Sequence, residues 1–174
     1  EAYFDFVDTE LKYKTAEIVK NHKNVLVLRT LSKGYGLAGL RLAYLVGDEK
    51  LVGPISEKTA DSYNTSRLNQ ELGLVALQDQ DYANNVWKKI RIERSHLSQE
   101  LRMLGFKVNP SQTNFILVES PEPKINAKEI YNRLRESGVL VRYFDTKRLK
   151  NAFRVTVGTR SQNNIFLEKL SVIC

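Results

Sequence analysis

The sequence predicts an α/β protein, and three observations carry that expectation. A helical pattern ending near Asn21 leads into a short continuous apolar run, Val25-Leu26-Val27-Leu28, as in a strand buried on both faces. A second apolar run, Leu40 to Val46, follows across a segment punctuated by Gly34, Gly36 and Gly39, which mark a tight, non-helical connection. After Gly105 the texture changes to strand, strand, helix, strand, strand, helix, the order of a small α+β unit.

The elements follow in order. Glu1-Ala2-Tyr3-Phe4-Asp5-Phe6 opens without Met and reads as the end of a buried strand in a longer protein. Thr9 or Asp8 caps a helix running to about Asn21. Helical patterns occupy about 49–58, 66–79 and 82–104, the last closed by Gly105 just past its end. Trp87, Leu97, Leu101 and Leu104 share one face of that long helix and read as core. Phe106 to Val108 and Phe115 to Val118 are strands, and Pro121-Glu122-Pro123 is a loop. A helix from about Asn126 to Ser137, stopped by Gly138, precedes strands Val139 to Phe144 and Phe153 to Val157. Ser161 caps a last helix to about Val172. Residues 1–84 and 85–174 are the expected domains.

Composition narrows the function. The 27 Lys and Arg against 20 Asp and Glu give a net charge of +7, but no run of four basic residues occurs. A solvated surface explains most of that charge, with a weaker case for small anionic ligands. Cys174 is the single cysteine, so neither an internal disulfide nor a zinc site fits, and a reducing compartment is expected. No apolar stretch approaches the roughly 20 residues that span a bilayer. His22 and His96 lie in polar helical surroundings and read as surface residues.

Two groups of residues carry chemistry. Lys33 directly follows a strand, between the hydroxyls of Thr30 and Ser32 and the guanidinium of Arg41. A lysine that forms a Schiff base needs a rigid position facing a pocket, and hydroxyls with an arginine suit a phosphate. A bare Ser-Lys pair matches by chance far too often to decide this, and a solvated loop lysine is the competing reading. In the second group, Arg142 and Arg154 each interrupt an apolar strand. Such a charge is costly unless it is paired or faces a wet cleft, and a snorkelling or edge-strand arginine accounts for the pattern equally well.

The whole run Thr30-Leu31-Ser32-Lys33-Gly34-Tyr35-Gly36-Leu37-Ala38-Gly39-Leu40-Arg41-Leu42 is far more specific. It resembles the cofactor-lysine segment of the fold-type I aminotransferases, in their histidinol-phosphate branch. The resemblance implies that Lys33 bonds pyridoxal 5'-phosphate covalently and that Thr30, Ser32 and Arg41 hold the cofactor's phosphate. Glu1-Ala2-Tyr3 resembles the family's Asp-Glu-Ala-Tyr motif, which implies that Tyr3 hydrogen-bonds the cofactor's phenolic oxygen; alone, Tyr3 reads as a packed strand tyrosine. Arg154 and Arg142 resemble the family's small-domain arginines, the first anchoring the substrate's acidic group and the second assisting with a substrate phosphate. Tyr63-Asn64 and Asn114-Phe115 also match family segments, although Ser62 stands where the family usually has Pro and Ala43 where Gly is usual.

The fold so implied is the C-terminal part of a large cofactor-binding domain followed by a small α+β domain. The implied reaction exchanges an amino group between L-histidinol phosphate and 2-oxoglutarate, in histidine biosynthesis, within a cytoplasmic homodimer. Neither metal, membrane nor nucleic acid belongs to that expectation. Threonine-phosphate decarboxylase and aromatic or broad-range aminotransferases share the lysine segment and remain open. A phosphate- or nucleic-acid-binding module would explain the charge and the glycines, but no stacking platform or basic stripe supports it.

Overall fold

The computed structural model describes residues 1–59, 64–121 and 125–174. These divide into two compact units, Glu1–Trp87 and Lys88–Cys174.

In the first unit, helix α1 (Thr15–Asn21) precedes strands β1 (Leu26–Thr30) and β2 (Ala43–Gly47), and helices α2 (Glu49–Lys58) and α3 (Arg67–Gln78) follow. β1 and β2 pair antiparallel, from Leu26 opposite Gly47 to Thr30 opposite Ala43. Two expectations fail here. The opening residues are not strand: Phe4–Phe6 and Thr9–Leu11 form 3-10 turns, and Lys12 adopts a left-handed conformation (φ 47°). That conformation breaks the helix expected from Thr9, which begins only at Thr15. Within the described residues Val27 of β1 is buried while Leu26 and Leu28 are exposed. Helix starts follow their caps, with Asp48 accepting from the Lys50 amide (3.0 Å) and Ser66 from that of Asn69 (3.2 Å).

Helix α4 (Gln80–Met103) begins in the first unit and supplies the opening element of the second. It ends as its sequence suggests, with Gly105 at φ 87° and the amides of Gly105 and Phe106 returning to the carbonyls of Arg102 and Leu101. Strands β3 (Lys107–Val108) and β4 (Phe115–Glu119), helix α5 (Ala127–Glu136), strands β5 (Arg142–Tyr143) and β6 (Ala152–Thr156) and helix α6 (Arg160–Ile173) complete the unit. The four strands form an antiparallel sheet in the order β3-β4-β6-β5. Alternation sets its two faces. Ile116, Val118, Phe153 and Val155 point into a core shared with Leu97 and Leu101 of α4, Ile130 and Leu134 of α5, and Phe166 and Leu170 of α6. Truncating Phe153, which is fully buried, would cost about 3–5 kcal/mol by cavity formation.

Local chemistry again explains the ends. Gly138 closes α5 at φ 82° with the bond pattern seen at Gly105. The cap of α6 is Thr159 rather than Ser161, because Gln162 falls three residues after Thr159 and completes a reciprocal capping box. β5 is two residues long, much shorter than the expected Val139 to Phe144, and forms an edge.

Candidate functional site

The first cluster lies where β1 ends. Leu31 N donates to Leu42 O (3.1 Å), and Leu37 N donates back to Leu31 O (3.1 Å). The intervening residues therefore close into a compact loop carrying Lys33. Three contacts brace it. Trp87 Nε1 donates to Gly34 O (2.7 Å), and its ring meets Tyr35 edge-on at 5.4 Å. Asn69 Nδ2 of α3 donates to Leu40 O (3.0 Å). Asp5 lies flat against Gly34, where a Cβ would fall 2.0 Å from its Oδ2. Burial pushes the Asp5 carboxyl above the usual carboxylate range, and the Arg29 guanidinium acts against that shift.

Thr30 and Ser32 meet: Thr30 Oγ1 donates to Ser32 Oγ (2.8 Å) and accepts from the Ser32 amide (3.1 Å). Thr30 Oγ1 also lies 3.3 Å from the Leu42 carbonyl, a second acceptor for its proton. Arg41 sits at φ 52°, and its Nη1 donates to Ala38 O (3.2 Å), leaving the rest of its N–H donors without a partner among the described residues. Lys33 is exposed and its amine is likewise unpaired among the described residues. Tyr3 is half-buried, one residue before the Phe4–Phe6 turn. An amine, a hydroxyl donor and a guanidinium on one tight loop are a donor set that fits an aldehyde-bearing phosphate ester.

The second cluster lies on the face of the four-stranded sheet opposite the core. Arg142 of β5 and Arg154 of β6 are directly opposite each other in register. Their guanidinium carbons lie 5.6 and 5.9 Å from the centre of one ring, Phe144, and Arg154 lies 4.9 Å from Phe115 as well. Neither arginine has a carboxylate partner among the described residues. Like charges directly opposite on a sheet are destabilising, so a bound anion would relieve the repulsion.

The remaining candidates are peripheral or elsewhere. Tyr63 lies outside the described residues, and Asn64 is exposed. Asn114 contributes its carbonyl, which accepts from Val157 N (2.9 Å). His22 is exposed, whereas His96 is half-buried with Nδ1 unpartnered among the described residues and Nε2 3.7 Å from Glu100. Trp87 is not a member of the core face that it shares in sequence with Leu97 and Leu101; it belongs to the Lys33 loop. Sequence reasoning missed Asp5, Trp87 and Phe144. The period-two spacing of Arg142 and Phe144 was the one usable signal, since it puts both side chains on one sheet face.

The family model described as aminotransferase class I and II matches residues 1–170. Histidinol-phosphate aminotransferase 1 of a Nostoc species is 41% identical over 170 residues, covering 98% of this chain and 46% of the relative. The histidinol-phosphate aminotransferase of Clostridium acetobutylicum is 37% identical over 172 residues, covering 98% and 47%. Among solved structures, histidinol-phosphate aminotransferase from Sinorhizobium meliloti in complex with pyridoxal-5'-phosphate matches with a TM-score of 0.85 at 26% identity, covering 99% of this chain and 47% of that one. The chain spans about half the length of the curated relatives it matches.

Proposed function

We propose, since the chain belongs to the class I and II aminotransferase family, that its parent protein is a pyridoxal-phosphate enzyme exchanging an amino group between L-histidinol phosphate and 2-oxoglutarate. Residues 1–84 then complete the cofactor-binding domain and residues 85–174 form the small domain. The names of the relatives support the substrate. The observation that carries the reading is the Arg142–Arg154 pair, two guanidinium groups in register with no carboxylate partner among the described residues.

Each residue then has a task. Lys33 bonds the cofactor covalently and, once released, moves the proton at the substrate Cα through its Nζ. Ser32 and Arg41 donate to the cofactor's phosphate, and Thr30 orients the Ser32 hydroxyl by its 2.8 Å hydrogen bond. Tyr3 hydrogen-bonds the cofactor's phenolic oxygen. Bound pyridoxal phosphate supplies the electron sink that stabilises negative charge at the substrate Cα. Arg154 anchors the acidic end of either substrate, and Arg142 adds its donors when that end is a phosphate. Bidentate guanidinium geometry accepts carboxylate and phosphate alike, so one pair serves two substrates in turn. A homodimer in the cytoplasm completes the proposal.

The test is a set of half-reactions on the full-length protein, followed by the cofactor's absorbance. Arg154→Ala should slow reaction with both glutamate and histidinol phosphate while the cofactor stays bound. Arg142→Ala should slow histidinol phosphate more than glutamate, and Lys33→Ala should abolish covalent attachment. A wild-type protein that converts aromatic amino acids well and histidinol phosphate hardly at all overturns the substrate assignment.

A further inference from the structure

The exposed face of the small sheet raises a physical problem that its arginines do not solve themselves. Arg142 and Arg154 stand opposite each other across β5 and β6, so their charges repel. A carboxylate neighbour would neutralise them, and it would also occupy the N–H donors that an anionic ligand needs. The described residues offer a different solution. Phe144 follows Arg142 by two positions and lies on the same face, and its ring centre is 5.6 Å from one guanidinium carbon and 5.9 Å from the other. Phe115, two residues along β4 from the position opposite Arg154, adds a second ring at 4.9 Å. A ring face attracts a cation without accepting its N–H groups as a carboxylate does. The arginines are therefore oriented by aromatic contacts while their donors stay unspent.

We infer that Phe144 is a positioning residue that sets the spacing of the Arg142 and Arg154 guanidinium groups, and so favours a substrate that presents a phosphate dianion to the pair over one that presents a single carboxylate group. This rests on the reading of the pair as the substrate anchor. A carboxylate is served by Arg154 alone. A phosphate dianion has oxygens for both groups, and gains only if the two are held within reach of one another. Losing the shared ring therefore penalises the phosphate more than the carboxylate.

The experiment compares Phe144→Leu, which keeps an apolar side chain but removes the ring, with Phe144→Tyr, which keeps the ring, both in the full-length enzyme. Steady-state kinetics with histidinol phosphate and with glutamate are measured beside inhibition by inorganic phosphate. Phe144→Leu should raise KM for histidinol phosphate by about 5- to 20-fold and weaken inhibition by phosphate by a similar factor. It should leave kcat within about two-fold, because ring contacts with the arginines orient the bound group in the ground and transition states alike. The KM for glutamate should change less, and Phe144→Tyr should behave as wild type. Wild-type inhibition constants in Phe144→Leu, or equal losses in the Tyr and Leu variants, overturn the inference alone. A wild-type enzyme that neither accepts histidinol phosphate nor responds to inorganic phosphate overturns the reading of the pair, and this inference with it.

Discussion

Replacing Gly34 by alanine should damage the Lys33 loop by an amount that the packing itself sets. Gly34 is buried, and an added Cβ would fall 2.0 Å from Asp5 Oδ2, 2.6 Å from Cγ and 2.9 Å from Cβ. Because the last contact involves the root of the side chain, rotating the carboxylate away does not relieve it. Overpacking of this kind costs about 1–3 kcal/mol, and the alanine's smaller unfolded-state entropy returns about 0.4–1 kcal/mol. The net expectation is a loss of about 1–2 kcal/mol. Function should suffer as well, because the displaced peptide follows Lys33 directly and accepts the Trp87 hydrogen bond. Urea unfolding of the full-length protein measures the first effect, and the rate of covalent cofactor attachment the second. Asp5→Ala in the same background removes the two shortest contacts but keeps the Cβ, so it should recover part of the loss, giving a coupling of about 1 kcal/mol in a double-mutant cycle. Wild-type stability in Gly34→Ala, or an identical cost with and without Asp5, would refute the packing argument.

Other outcomes follow from the same geometry. Arg41→Ala should weaken cofactor affinity by tens to hundreds of fold, from a charge-assisted bidentate contact worth about 1.5–3 kcal/mol, with Arg41→Lys recovering only part; equilibrium titration decides. Asp5→Asn should alter the pH dependence of stability. Burial raises the folded-state pKa of Asp5 above its ordinary 3.8, so the folded form holds that proton more tightly and loses stability as pH rises through the raised value. The asparagine variant should therefore gain most on wild type near neutrality and lose that advantage in acid, as read from unfolding midpoints across the range. Residues 88–174 alone should unfold cooperatively, since they contain the extended core from Leu97 to Leu170. Residues 1–87 should not, because Phe6, Val27, Leu31 and Ala83 are the buried apolar residues described there. Circular dichroism melts of the two fragments test this.

The sequence was most legible where structure is set locally. Gly105 and Gly138 stop their helices because each adopts a positive φ that other residues avoid, and Asn126 caps α5 through the Glu129 amide. Thr159 was legible in principle, because Gln162 completes its capping box, yet Ser161 drew the expectation. The break at Lys12 had no such signal: neither Gly nor Asn marks it, and tertiary contacts around Glu1, Thr15 and Arg29 decide the path instead. In the clusters, it was the resemblance of the whole 30–42 run, not residue types alone, that singled out Thr30, Ser32, Lys33 and Arg41, whereas the Arg142–Arg154 opposition depends on strand register, which emerges only when β5 meets β6. Trp87 and Asp5 reach the loop from 53 and 29 positions away in the chain, beyond the range of any local motif.

The position of the two arginines within the sheet bears on how such a protein changes its diet. Arg154 stands on β6, an inner strand laddered on both sides, so moving it would disturb β4 and β5 together. Arg142 stands on a two-residue edge strand with a single neighbour. Substitutions at 142 and 144 are therefore tolerated at small structural cost, while those at 154 propagate. Under the proposed role of the pair, descendants of one scaffold that diverge toward new amino donors should keep the inner arginine and vary the edge, and a directed library aimed at altered substrate range belongs on residues 140–145.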